Sequence, residues 1–314
     1  MKIWDAIVVG AGPAGLSAAL VLGRCCRKVL LCDRGTPRNR ASHAVYGFIS
    51  RDGMDPAELR RISLAQLERY PLVQFRPEEI VHGRRTGERE FTVGFASGAE
   101  ERARKLLLAT GVEDELPGWQ GIEQFFGTSV FQCPYCDGWE MRNNAIAVHG
   151  RGRRGFEAAR ALTAWTDDIV LCTDGPPELS TAQMQSLRSN GIVIESERIV
   201  ELRGHDAQLD RILLESGREL RRAALFFDTP SHPQSKLAES LGCEFTPAGG
   251  IKCGRYEATS IPGVFAAGNI VKDVQLSIVA AAEGARAAFG LNRSLTREEF
   301  RARTDGKQQV EHPV

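Results

Sequence analysis

The 314-residue chain has no net charge, because 40 Lys and Arg residues balance 40 Asp and Glu. A protein that gathers nucleic acid or an anionic membrane concentrates positive potential, and this one has no overall field with which to do so. Its one short basic run, Arg151, Arg153 and Arg154, has no aromatic platform beside it, so no nucleic acid is expected as partner. Long apolar runs are missing too: each is broken by Gly or a charge well before the roughly 20 residues that cross a bilayer. The opening MKIWDAIVVGAG lacks a basic stretch followed by an apolar core and a cleavage site. The expectation is a cytoplasmic protein with no membrane partner. Zinc-type spacing is also lacking, since the only Cys-x-x-Cys has neither a second such pair nor a His pair nearby, and no metal is expected.

Eight cysteines in a reducing compartment do not imply a structural disulfide framework. Cys25, Cys26, Cys32, Cys172, Cys243 and Cys253 lie among apolar residues and are read as small buried hydrophobes. What the chain does have is a composition, 42% apolar and 25% charged, that can bury a core, and a length that suggests two domains. Residues 3–9 are apolar and partly β-branched, and Gly10, Ala11, Gly12, Pro13, Ala14 and Gly15 follow, leading into a small-residue helix. A second strand ends at Asp33, near the spacing of about 20 residues at which a carboxylate grips a ribose hydroxyl. In such a unit the first glycine permits the turn, the second admits a pyrophosphate, and the third lets helix meet strand. An adenine dinucleotide is expected here, its phosphates at the helix N-terminus.

A second unit of this kind starts at Asn144, with Gly150, Gly152 and Gly155 in the turn and Asp174 after the next strand. Arginines between these glycines crowd the place where phosphates approach, although their charge also attracts phosphate. The unit is therefore either a second nucleotide site or a retained fold without its ligand. Between the two units lies Cys133-Pro134-Tyr135-Cys136-Asp137. Two cysteines at this spacing close a disulfide within one helical turn, and beside βαβ units they indicate redox exchange, with Asp137 placed to pass protons. Ala109, Thr110 and Gly111 end another strand in a turn that allows close approach. Near the C-terminus, Gly268 and Asn269 precede an alanine-rich stretch and are candidates for holding the first dinucleotide. The first domain is therefore discontinuous. The fold class expected is α/β: two Rossmann-like, three-layer (ββα) dinucleotide-binding domains, the second inserted in the first.

Taken together, GAGPAG at 10–15, LLLATG at 106–111, CPYCDG at 133–138 and TSIPGVFAAGN at 259–269 resemble the low-molecular-weight thioredoxin reductase family, in order and spacing, over residues 3–291. The resemblance implies FAD in an outer domain of residues 1–116 and 244–314, an inserted domain at 117–243 carrying the Cys-x-x-Cys, and a homodimer. It also implies that Arg34, Arg38, Asn39, Gln275 and Leu276 help to hold FAD, that Cys136 lies nearest the flavin with Cys133 as its exchange partner, and that Asp137 is an acid. Two departures matter. Where the family normally has arginines for the 2′-phosphate of NADPH, this chain has Thr173, Asp174, Gly175 and Pro176, which argues against NADPH. NADH, a second FAD or no ligand remain open for the inserted domain. Asn269 also stands where the family usually has Asp.

The segment from Pro37 to Gly53 looks like a branch that includes dithiol oxidases of natural-product pathways. In those enzymes a substrate dithiol reduces the cysteine pair, the pair reduces FAD, and oxygen takes the electrons; His43 is a candidate base there, or a surface residue. The expected function is thus a flavin disulfide oxidoreductase working on a thioredoxin-like protein or a small dithiol. Three alternatives stand beside it: an oxidase, a reductase using NADH or a second flavin, and a non-catalytic flavin sensor.

Overall fold

The structure is a computed structural model and describes residues 3–272 and 274–310. It divides into two compact units, one of Met1–Arg38, Ala57–Glu113 and Pro233–Val314 and the other of Asn39–Pro56 and Asp114–His232. The mixed α/β class expected from the sequence is present in both.

In the first unit Val29–Cys32 is wholly buried and Ile3–Val9 is buried over Ala6–Val9, which explains why these stretches are continuously apolar and not alternating. They pair in parallel, and Ile3–Val9 pairs on its other side, also in parallel, with Glu100–Leu108. Val73–Arg76 extends the sheet in parallel at one edge, while Glu90–Phe95 and Ile80–Gly87 continue it antiparallel at the other. The short strand Val264–Ala266 pairs in parallel with the end of Glu100–Leu108, register Leu106 to Val264. This pairing brings Gly268 and Asn269, far away in sequence, to the same sheet end as Gly10 and Thr110.

Helix Pro13–Arg24 packs against the long helix Ser277–Val310 over a core that includes Ala18, Leu22, Ala287 and Leu291. The long helix is also anchored by charge. Arg27 and Arg104 both pair with Glu299 at 2.7 Å, and the nearly buried Lys105 donates to Glu298. On the other sheet face Leu237 and Ala238 pack into a cluster with Ile80, Phe91 and Val264. That contact is why the first unit resumes at Pro233 rather than at residue 244.

The second unit holds a five-stranded parallel sheet whose centre is Ile146–His149, flanked by Ile169–Cys172 and Ala224–Phe227. A three-stranded antiparallel sheet, Ile199–His205, Gln208–Leu214 and Glu219–Arg221, accompanies it and shares a core with it through Val170, Leu202, Ile212 and Leu225. The segment Asn39–Pro56 groups with this unit, although the sequence places it among residues of the first domain. Gly127, at φ +86°, sits so close to Ala41 that an added Cβ would lie 2.2 Å from the Ala41 carbonyl oxygen.

Glu298→Ala is expected to destabilise the first unit by about 3 kcal/mol, because it strands the Lys105 ammonium in a buried site. Chemical denaturation of wild type and variant measures this, and a loss below roughly 1 kcal/mol is what an unimportant surface pair would give instead.

Candidate active site

The first cradle is built from Ile3–Val9, the turn at 10–12 and helix Pro13–Arg24. Gly10 takes φ +106°, and a Cβ on it would lie 2.2 Å from the Ala109 carbonyl oxygen, so only glycine lets these two strand ends approach. A Cβ on Gly15 would lie 1.8 Å from the Gly10 oxygen, which is the helix-to-strand contact expected of the third glycine. Gly12 differs from both: nothing lies within 4 Å of its Cβ position. It is also the N-cap of a helix that no side chain caps and whose first turn holds no acid. Such a terminus presents N–H groups and partial positive charge to open space, which suits a pyrophosphate.

Asp33 stands at the end of its strand as the spacing predicts. Its carboxylate accepts from the Ala11 and Gly35 N–H groups, both at 3.1 Å, and pairs with Arg60 at 2.5 Å. A cleft beside it is lined by Gly10, Asp33, Arg34, Glu79, Thr110 and Gln234. Thr110 Oγ1 is buried there with no hydrogen-bond partner among the described residues. An orphaned hydroxyl, an open glycine and an uncapped helix fit an adenine dinucleotide.

Other predicted residues of this unit take several places. Arg34 pairs with Glu79 at 3.6 Å. Arg38 donates to Gln275, joining two predicted residues, and Leu276 directly precedes the long helix, its carbonyl accepting from Ala280 at 2.9 Å. Gly268, at φ +81°, donates its N–H to Glu283 at 2.7 Å, and Asn269 opens the short turn Asn269–Val271. Ala109 donates to Val9 at 2.8 Å, and Gly111 takes φ +67° with open space beyond it. Asn39 and His43 belong to the other unit. Sequence reasoning missed Arg60, Glu79 and Gln234. None stands in a motif, and only the folding of distant helix and strand ends onto Asp33 reveals them.

The second cradle has the same outline and a different mouth. Gly150 and Gly155 again bring helix and strand together, a Cβ on Gly155 falling 2.4 Å from the Gly150 oxygen. The N–H of Gly152, however, donates to the Pro177 carbonyl at 2.9 Å, and Glu178 stands over the Gly152 Cβ position. Arg151, the N-cap, turns its guanidinium inward: Nε donates to the Thr173 carbonyl at 2.5 Å, and Nη2 lies 3.0 Å from the Cβ position of Gly175. Asp174, at φ +48°, accepts from the Ile199 N–H at 2.9 Å and pairs with His149 Nε2 at 3.2 Å. Burial pushes the Asp174 carboxyl up, but the bonds from His149 and Ile199 and the charge of His149 outweigh this and hold it below its ordinary range. The ring of His149 is in turn fixed edge-on against Trp119, centroids 4.8 Å apart. The Gly152 N–H and the Asp174 carboxylate are thus both engaged by the chain's own residues.

Cys133 and Cys136 form a disulfide, with Cα atoms 5.2 Å apart. Cys133 caps the turn Pro134–Asp137, and its Sγ accepts the Cys136 N–H at 3.1 Å. Pro134 at the first helical position presets the backbone. Gly138 is pressed between the Pro134 carbonyl and the Trp165 ring, 2.5 and 2.8 Å from its Cβ position, which holds the turn against the domain. Tyr135 and Trp139 are exposed on either side of Cys136, at 74% and 63%. Burial first, and then the neighbouring Glu140 charge, push the Asp137 carboxyl up to about 7. A carboxylic acid at that value can give or take a proton near neutral pH.

Of the remaining thiols, Cys32, Cys172 and Cys253 are pushed up to about 12, chiefly by burial, and Cys243 is raised for the same reason. None of these four supplies thiolate at neutral pH. Cys25 and Cys26 correct the sequence reading: both are exposed, because helix Pro13–Arg24 ends just before them and Cys26 turns out at φ +56°. Among the described residues no group of His, Cys, Asp and Glu is arranged to hold a metal ion, and no helix is long and apolar enough to cross a membrane.

Comparison with known proteins places this geometry in context. The family model described as pyridine nucleotide-disulphide oxidoreductase matches residues 4–284. The thioredoxin reductase tcpT of Claviceps purpurea is 31% identical over 278 residues, which cover 85% of this chain and 87% of that one. Among solved structures, that of HlmI superposes with a TM-score of 0.94 at 33% identity, covering 99% of this chain and 98% of the other. An oxidoreductase from Agrobacterium tumefaciens gives 0.87 at 33% identity, covering 94% and 99%.

Gly12→Val tests the first cradle, because its φ of −78° suits any residue and the added side chain enters open space. The variant is expected to keep the wild-type thermal midpoint of the apoprotein and to bind FAD at least about tenfold more weakly, a loss of roughly 1.4 kcal/mol. Equal flavin content after gel filtration would place the phosphates elsewhere.

Proposed function

Because the chain belongs to the pyridine nucleotide-disulphide oxidoreductase family and has thioredoxin reductase relatives, we propose that it is an FAD enzyme that oxidises a small dithiol through Cys133 and Cys136 and draws no electrons from NADPH. The observation that carries this reading is the self-filled second cradle. A nicotinamide dinucleotide there would need the Gly152 N–H for its pyrophosphate, and that N–H is given to the Pro177 carbonyl while Arg151 and Glu178 crowd the mouth. That objection applies to NADH and to a second FAD as much as to NADPH, since it concerns the pyrophosphate and not the 2′-phosphate. With this inlet closed, the disulfide is where electrons enter.

The residues on hand suit each step. A substrate thiolate attacks one sulfur of the Cys133–Cys136 bond, the bond breaks, and the departing thiolate takes the proton held by Asp137. The second substrate thiol closes the product disulfide and returns a proton, leaving both cysteines reduced. FAD, when bound in the first cradle by Gly12, Asp33 and Thr110, supplies the two-electron store that reoxidises the pair. Dioxygen is the final acceptor, so that dithiol plus dioxygen gives disulfide plus hydrogen peroxide. The working form in this reading is a homodimer. A redox protein of thioredoxin type in place of the small dithiol is the second reading, favoured by the exposed Tyr135 and Trp139 beside the disulfide.

The test is anaerobic bleaching of the flavin band at about 450 nm with dithiothreitol, NADPH and NADH added separately. Dithiothreitol is expected to bleach it, the Cys136→Ser variant to lose that response, and neither nicotinamide to act at a comparable rate. In air, hydrogen peroxide should appear in one-to-one ratio with disulfide. Rapid bleaching by either nicotinamide would make the protein a conventional reductase and overturn this reading.

A further inference from the structure

The turn that carries the disulfide does not stop at Asp137. Gly138 keeps helical angles, φ −64° and ψ −32°, so Asp137 and Glu140 stand three residues apart on one continuing turn, a spacing that puts both on the same face. Two carboxylates so placed repel, and one of them is driven to keep its proton. Glu140 has one carboxylate oxygen, Oε2, that is buried without a hydrogen-bond partner among the described residues. A charge left in that condition acts strongly on whatever lies beside it, because no donor and little water screen it.

The groups around the pair point the same way. Besides burial, the one charge that acts on Asp137 is that of Glu140, and no cation acts on it. From the segment Asn39–Pro56 comes Tyr46, whose phenol is raised first by burial and then by the charges of Glu140, Asp137 and Asp52. The face that Tyr46 presents is therefore an un-ionised hydroxyl and adds no positive charge. Arg142, the nearest cation in sequence, is occupied elsewhere: it stacks on the Trp139 ring at 4.1 Å and donates to the Trp139 carbonyl at 2.7 Å.

We propose that Glu140 is a positioning residue for the disulfide exchange: its carboxylate, one turn beyond Asp137 on the same face, keeps Asp137 as the carboxylic acid that protonates the departing thiolate of the Cys133–Cys136 pair. The inference rests on the dithiol reading given above and extends it to a residue outside the CPYCDG motif. The balance of the step is closed. One S–S bond breaks as one substrate–enzyme S–S bond forms, the proton on Asp137 moves to the released thiolate, and the second substrate thiol restores it as the product disulfide closes. No further oxidant or proton source enters. Glu140 itself transfers nothing; it adds to burial in setting the pH range over which Asp137 holds the proton.

The experiment follows dithiol-driven flavin reduction in single turnovers as a function of pH in the FAD-loaded protein, alongside infrared titration of the protonated carboxyl band. The wild-type rate is expected to fall as pH rises through about 7, at the same pH for dithiothreitol and for a dithiol of lower thiol pKa, with the carboxyl band fading over the same range. Asp137→Asn should abolish both the falling limb and the band. Glu140→Gln should move limb and band to lower pH by about one unit, and Glu140→Asp, which keeps the charge, should restore most of the shift. An unmoved limb and band in Glu140→Gln would overturn the proposal, even if that variant is slower. So would a wild-type protein with no carboxyl titrating near neutral pH, which needs no variant to fold. If no dithiol reduces the wild-type flavin, it is the functional reading that fails, and the infrared titration still decides the role of Glu140.

Discussion

A helix cannot leave its first N–H groups without acceptors, and two helices in this chain meet that demand in opposite ways. At Gly12, among the described residues, the space at the Cβ position is open, no side chain caps the helix, and a neighbouring threonine hydroxyl is left without a partner. At Gly152 the acceptor is the chain itself, the Pro177 carbonyl, with Arg151 folded back onto Thr173. The supersecondary unit is the same in both. What differs is whether the chain itself supplies an acceptor at the turn, and the proposed function rests on that difference.

The disulfide turn depends on a second constraint of the same kind. Cys133 caps a helical turn too short to be stable alone, so its position rests on Pro134, on Gly138 fitted against Trp165, and on the N–H of Cys136 held by sulfur. Burial beside that turn keeps Asp137 protonated to about neutral pH, with Glu140 adding its charge. The other buried thiols are pushed the opposite way from usefulness. Of Cys32, Cys172, Cys243 and Cys253, none competes for exchange with the Cys133–Cys136 pair.

Much of the fold was legible because strand, glycine turn and helix have strong periodicities. The buried strands 29–32 and 169–172 are continuous apolar runs, 3–9 and 146–149 are apolar but for Asp5 and His149, and each glycine turn sits where one of them ends. Asp33 was found by its spacing and stands at the ribose end of its cradle. Asp174 was found by the same spacing, yet its carboxylate faces His149 and Ile199. Spacing locates a residue on a strand end and says nothing of its side-chain direction, which here follows from a left-handed backbone and from an imidazole held by Trp119. Cys25 and Cys26 failed for a related reason: apolar neighbours in sequence do not bury a residue that lies past the end of its helix.

The sequence by itself determined the two βαβ-type units, the redox-active spacing of Cys133 and Cys136, and the family. These rest on local patterns, in which backbone conformation, turn chemistry and burial period are fixed within a few residues. Tertiary structure alone decided that the Gly152 N–H bonds Pro177, that Arg60 holds Asp33, and that Tyr46 and Glu140 lie near Asp137. Each of these depends on which distant groups are brought together, and on whether a polar atom finds its partner in the chain or leaves it for a ligand.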